Sequence, residues 1–220
     1  MQELESAIKI AIYFKFFVSL FALVNPIGNI PIFSSITNGI SVKERNKINV
    51  KTSVAISIVL LVSLFLGQLI LNFFGISLNS FRIAGGILVI MISLSMVQGK
   101  ISEESQNKEE KNHLANIQNF AIVPLAIPIM AGPGSISSVI VFGAKYNNLI
   151  DLVGLSIAII LFGLCCFFLF KSSSTLLKLL GKTGSNVVTL IMGQLLMALG
   201  VEIVTTGVIG VFETLIKRIV

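Results

Sequence analysis

The chain has 220 residues, of which 55% are hydrophobic and only 12% charged, and a formal net charge of +6. Soluble domains carry about 25% charged residues, so this composition excludes a water-soluble globule and fits a multi-pass membrane protein with little mass outside the bilayer. The basic residues form no clusters interleaved with aromatics, which argues against a nucleic-acid partner.

Hydropathy predicts six spans of roughly 20 residues or more, at about 10–37, 50–73, 79–98, 118–143, 150–170 and 186–212. The start does not read as a cleavable signal. Its early charges are Glu3 and Glu5, Lys15 interrupts the apolar run, and no small-residue cleavage site precedes Asn25. The first helix is therefore expected to remain in the mature protein.

The first span is too long for one straight crossing and contains Leu23-Val24-Asn25-Pro26-Ile27-Gly28-Asn29-Ile30-Pro31. Ser41-Val42-Lys43-Glu44 has capping-box spacing ahead of the second span. Near the end of that span, Gln68 and Asn72 are expected to bond between helices. A short polar turn, 75–80, leads into the third span, where Gly85 and Gly86 permit close helix approach. Residues 99–116 form the long hydrophilic connector and read as a solvated cytoplasmic linker, with the sole histidine, His113, in it.

The fourth span contains Pro124-Leu125-Ala126-Ile127-Pro128-Ile129-Met130-Ala131-Gly132-Pro133-Gly134-Ser135. All five prolines of the chain lie in these two segments. Proline removes a backbone donor and clashes with the preceding turn. In a membrane such a break is tolerated where the freed groups are buried in protein or line a cavity. One break in each half of the chain is the sequence pointer to a transporter-like binding site. In the fifth span, Cys165 and Cys166 are expected to be packing thiols, not a metal site.

The halves on either side of the linker, 1–98 and 117–220, resemble each other weakly. At an offset of 102 residues, Leu23, Pro26, Ile27, Pro31 and Ser35 match Leu125, Pro128, Ile129, Pro133 and Ser137. At an offset of 108, Ile83, Gly85 and Leu88 match Ile191, Gly193 and Leu196. Three spans per repeat is an odd number, so the second repeat inserts upside down. The expected fold is an all-α membrane protein of six transmembrane helices in two inverted three-helix repeats, with the first and fourth helices broken. Ten Lys and Arg fall on the side of the linker and six on the other, which predicts that both termini lie outside the cytoplasm.

The half-helices after Asn29 and Pro133 start with N–H groups that lack intrahelical partners, and their dipoles favour an anion. The half-helices ending before Pro26 and Pro128 leave carbonyls suited to a cation or an ammonium. Donors and carbonyls facing one cavity suit a zwitterion, meaning an amino acid. The candidate binding residues are Asn25, Pro26, Gly28, Asn29, Pro31, Pro128, Gly132, Pro133, Gly134 and Ser135. The alternative is that both breaks are structural kinks satisfied by neighbouring helices. Ser34, Ser35, Ser137 and Ser138 either cap the second half-helices or touch ligand. Glu202 stands within the sixth span, where a carboxylate is costly unless paired or protonated. It is either a coupling site or one half of a structural ion pair, with Arg82 or Lys15. No cofactor motif, metal cluster or ATP-hydrolysis motif is present in the sequence. A serine nucleophile near Gly132 would need a nearby base, so no enzymatic activity is expected.

Asn25-Pro26-Ile27-Gly28, Phe81-Arg82-Ile83-Ala84-Gly85-Gly86 and the segment 124–134 resemble the MarC family of bacterial inner-membrane proteins, through nearly the whole chain. The resemblance implies a bacterial plasma-membrane location with six helices in two inverted repeats. It also implies transport of small neutral amino acids such as alanine, glycine and serine, which some relatives carry. One departure stands out. The family usually has Arg-x-Met-Gly early in the last helix, and here Leu190 takes the arginine's place in Thr189-Leu190-Ile191-Met192-Gly193. The position of Glu202 often holds glutamine or glutamate in such proteins, which weakens an obligatory carboxylate. The functions to weigh are thus a secondary transporter or exporter of small neutral amino acids, with a small-molecule solute and the lipid bilayer as partners, or a non-transporting scaffold or regulatory module. The oligomeric state is not readable from the sequence.

Overall fold

The computed structural model describes residues 2–98 and 130–219. The linker 99–116 with His113, Pro124 and Pro128 lie outside the described residues. The described chain is all helix: α1 Gln2–Val24, α2 Ile30–Ile36, α3 Val42–Phe73, α4 Leu78–Val97, α5 Pro133–Lys145, α6 Leu149–Lys171 and α7 Ser173–Ile219. Five of these, α1, α3, α4, α6 and α7, are long and apolar enough to cross a membrane.

Local chemistry sets the helix ends. Ser41 and Glu44 form the reciprocal capping box, which starts α3 at Val42, earlier than hydropathy alone suggests. Gly75, at φ +67°, and Ser77, whose hydroxyl accepts from the Ser80 N–H at 3.0 Å, turn the chain from α3 into α4. Asn148 caps α6 by accepting from the Asp151 N–H at 2.9 Å. The last helix begins at Ser173 and kinks at Gly181, whose φ of 64° only glycine adopts freely. Its apolar part runs over Asn186–Ile216.

In lipid no hydrophobic force drives helices together, so close backbone approach at small residues does much of the packing. The tightest pair is α4 with α7. Gly193, Gly200 and Gly207 recur every seven residues and keep one face of α7 turned to α4. Added Cβ atoms there would stand 3.3 Å from the Ser93 O, 3.1 Å from the Gly86 O and 3.0 Å from the Asn79 O. The partners also recur every seven residues, in descending order, so the two helices run antiparallel in a fixed register.

A second antiparallel pair is α3 with α6. Asn49 Nδ2 donates to the Phe167 O at 2.9 Å, and Ser57 fits only because Gly163 has no Cβ, which would come within 1.9 Å of its Oγ. The helices α1, α2 and α5 lie between the pairs. α5 meets α4 at Gly85 and Gly134, and α3 at Gly143, which sits on Leu64. The main core gathers around Phe16, Leu20, Phe33, Ile56, Leu60, Ile159 and Phe162. Stacking of Phe33 on Phe170 at 4.9 Å between ring centres ties α2 to α6.

Polar contacts mark the two ends of the bundle. On one side Lys9 and Tyr13 of α1 reach Asp151 at the start of α6, at 3.9 and 2.9 Å. The start of α4 and the end of α7 meet on this same side, where Asn79 covers Gly210. Both ends of the described chain therefore face one side. On the opposite side Arg45 of α3 donates to the Ser173 hydroxyl and lies over the Phe33 ring. Cys165 and Cys166 are free thiols, as expected. Gln68 and Asn72 differ from expectation. They bond each other along α3 at 3.0 Å, since residues four apart share one helix face, and neither bridges to another helix among the described residues.

Candidate functional site

The first break is held by its own asparagines. Asn25 follows Val24 at φ 47°, in the left-handed region where asparagine is among the few residues tolerated. It ends α1, and Pro26 cannot continue it. The Asn25 side chain folds back so that its Oδ1 accepts from the Gly28 N–H at 3.1 Å. A Cβ at Gly28 would come within 2.3 Å of that amide, so the turn requires glycine. The Asn29 amide then donates to the Val24 O at 2.9 Å and the Asn25 O at 3.0 Å. The Asn25 O also accepts the Asn29 N–H at 3.2 Å, and both its lone pairs are used. Of the carbonyls expected to face an ammonium, those of Val24 and Asn25 are thus occupied from within. Those of Ala22 and Leu23, whose helical partners would be Pro26, which has no N–H, and Ile27, accept no backbone bond among the described residues. Asn25, Pro26, Gly28 and Asn29 are buried, and Pro31 is half-buried in the first turn of α2.

The second break is described from Met130 onward. Met130, Ala131 and Gly132 are buried, and Pro133 opens α5 at its first position, where its missing N–H would have no partner anyway. The N–H groups of Gly134 and Ser135 have no intrahelical acceptor at this end. The Ser135 hydroxyl donates back to the Gly132 O at 2.9 Å. Ser137, one turn on, is 1% exposed and its Oγ has no hydrogen-bond partner among the described residues. A buried hydroxyl without a partner costs roughly 1–3 kcal/mol, so a group that accepts from it would be favoured here.

Both breaks meet one wall, helix α4. Asn25 Nδ2 contacts the Met96 Sδ at 3.8 Å. Gly134 packs on Val89, and Ser137 and the Pro133 O face Gly85. Met96 and Val89 are seven residues apart, about 10 Å along the helix axis. The core joins the breaks as well, since Val24, Ile30, Met130 and Ala131 belong to one buried cluster. Hence Asn25, Pro26, Gly28, Asn29, Gly132, Pro133, Gly134 and Ser135 are brought to one region, with Val89 and Met96 as wall residues that carried no signal in the sequence.

The other two candidates lie apart. Glu202 is exposed on the outer face of α7, as is Gln194, and no described residue forms an ion pair with it. Arg82 lies instead near Glu213, toward the end of α7. Leu190, in the place of the usual arginine, is 41% exposed on α7.

A model of the family described as "MarC family integral membrane protein" matches residues 10–212. The chain belongs to the MarC family. It is 52% identical to the UPF0056 membrane protein YhcE of Escherichia coli (strain K12), over 94% of this chain and 96% of that protein. Similarity extends to a UPF0056 membrane protein of Aquifex aeolicus, 37% identical over 89% of this chain and 92% of the relative. It reaches a UPF0056 membrane protein of Methanocaldococcus jannaschii, also at 37%, over 88% of this chain and 94% of the relative. No solved structure matches the chain. Together with its membrane-length helices, membership in the MarC family makes this a multi-pass integral membrane protein.

Proposed function

We propose that this MarC protein is a secondary transporter of small neutral amino acids in the bacterial plasma membrane. Six crossings would form two inverted repeats. α1 and α2 together make the first crossing, and α5, too short to span alone at 13 residues, is the second half of the fourth. The ends of the described chain lie on one side, and the basic start of α3, with Lys43, Arg45 and Lys47, and Lys171 at the end of α6 on the other, which supports periplasmic termini.

The observation that carries the reading is the convergence of the α1–α2 break and the start of α5 on α4, with donors at the α5 end that have no partner among the described residues. The substrate carboxylate is bound by the Gly134 and Ser135 N–H groups, favoured by the α5 dipole, and by the Ser137 hydroxyl. The first break supplies the Ala22 and Leu23 carbonyls for the ammonium, while its asparagines hold the Val24 and Asn25 carbonyls. Val89, Met96 and Asn25, packed tightly at the two breaks, would leave room for small side chains alone. The antiparallel pairs α4–α7 and α3–α6 are each locked in backbone contact, and the interrupted helices link them. Alternating access follows from movement of one pair against the other.

The test is binding of labelled alanine to purified protein and to the Pro26→Ala/Pro133→Ala double variant. Straightened breaks are expected to reduce affinity at least several-fold. Undiminished binding in a folded double variant refutes this site.

A further inference from the structure

A second polar feature lies at the end of the bundle that carries both termini, away from the helix breaks. Asn79 and Arg82 of α4 face Thr206, Gly210, Glu213 and Thr214 of α7 across an open cleft of about 290 Å³. Residues 79 and 82 are one turn apart, and 206, 210 and 213 follow helical spacing, so each set shares one face. Gly210 makes room for this arrangement, since a Cβ there would come within 2.6 Å of both amide atoms of Asn79.

Hydrogen bonding is unevenly distributed in the cleft. Thr206 and Thr214 donate to their own helix, at 2.8 Å to the Glu202 O and 2.7 Å to the Gly210 O. The Asn79 amide, the Arg82 guanidinium and the Glu213 carboxylate have no hydrogen bond or ion pair with any described residue. Two opposite charges thus share one cleft without joining directly. A guanidinium presents five donors in a planar fork that matches a carboxylate or a phosphate. A carboxylate across the cleft matches an ammonium. Arg82 lies within the first turns of α4, and Glu213 close to the end of the apolar stretch of α7. The cleft therefore sits near the level of lipid headgroups.

We propose that this cleft binds a zwitterion, its phosphate or carboxylate held by Arg82 and Asn79 and its ammonium by Glu213. The same chemistry comes from two sources, the headgroup of phosphatidylethanolamine or a free amino acid. The site is separate from the helix breaks and does not depend on the transport reading.

The experiment uses the full chain, with Arg82→Gln and Glu213→Gln as variants. Each protein is reconstituted with equal amounts of phosphatidylethanolamine and phosphatidylglycerol, extracted, and its retained lipid quantified by mass spectrometry. In parallel, alanine binding is measured by equilibrium dialysis. The expected result is enrichment of phosphatidylethanolamine over phosphatidylglycerol on the wild type. Glu213→Gln removes that preference by about tenfold, the scale of one charge-assisted contact, and Arg82→Gln lowers retention of both lipids. If the source is free amino acid, lipid retention shows no preference. Alanine binding then includes a component that each variant loses. Equal lipid retention and identical alanine isotherms in wild type and both variants overturn the proposal. Both side chains are partly exposed at the bundle end, so the variants are expected to fold, which an unchanged thermal midpoint verifies.

Discussion

Asn29 is the residue on which the first break turns. Its side chain is 8% exposed and donates to the Val24 O, which has no other partner among the described residues, and to the Asn25 O. Asn29→Asp keeps the shape but removes both donors and sets a carboxylate against the Val24 and Asn25 oxygens. Asn29→Ala removes the donors and leaves a small void. Only the Val24 O is left unpaired, because the Asn25 O keeps the Asn29 N–H. One such buried group costs about 1–3 kcal/mol, so the alanine variant is expected to lose about that much, and the aspartate variant at least as much. For domains of this length each kcal/mol shifts the midpoint by about 2–4 °C, which gives a fall of roughly 2–12 °C. The chain has no tryptophan, but Cys166 is fully buried and free. Thermal unfolding is therefore read by a thiol-reactive fluorogenic dye at one fixed heating rate, because membrane proteins commonly unfold irreversibly. Midpoints of both variants within about 1 °C of wild type would refute the clasp, and loss of alanine binding at unchanged stability would assign Asn29 to the ligand.

Three further outcomes follow from the same contacts. Gly163→Ala drives a methyl into Ser57 Oγ and is expected to destabilise by about 1–3 kcal/mol. Adding Ser57→Ala restores most of that loss, and a double-mutant cycle showing strict additivity contradicts the contact. Ser137→Ala removes an unpartnered buried hydroxyl, so the thermal midpoint is expected to stay level or rise while alanine affinity falls about tenfold. A fall in stability with unchanged affinity assigns Ser137 to packing. Tyr13→Phe deletes the hydroxyl that bonds Asp151 and is expected to cost about 0.5–1.5 kcal/mol in the same dye assay. No change there would mean that Lys9 and Asn148 hold Asp151 without it.

The breaks were legible in the sequence because proline acts on the backbone of its own neighbours. Pro26 and Pro133 end and begin helices as their chemistry requires, and Ser41 with Glu44 marked the start of α3. Asn25 and Asn29 were visible as polar groups beside the break, but an amide can face a ligand or its own backbone with equal ease. Only the fold shows that both turn inward to the chain. The α4 wall was hidden, because Val89 and Met96 look like any other apolar residue of a membrane span. The glycines at 193, 200 and 207 were present as a seven-residue repeat, yet Gly193 alone was matched, to Gly85. Their partners on α4 follow from antiparallel register, which no single helix reveals. Asp151 reads as an ordinary helix-start residue, and its links to Lys9 and Tyr13 depend on α1 and α6 lying side by side. Glu202 and Arg82 were paired on charge alone, and the helical phase of α7 separates them.

Counterflow of labelled alanine into proteoliposomes holding the purified protein tests the transport reading most directly. Accumulation that excess unlabelled glycine or serine abolishes, and that the Pro26→Ala/Pro133→Ala variant lacks, is the predicted result. Absence of flux with folded, correctly inserted wild-type protein, or equal flux through the double variant, contradicts it.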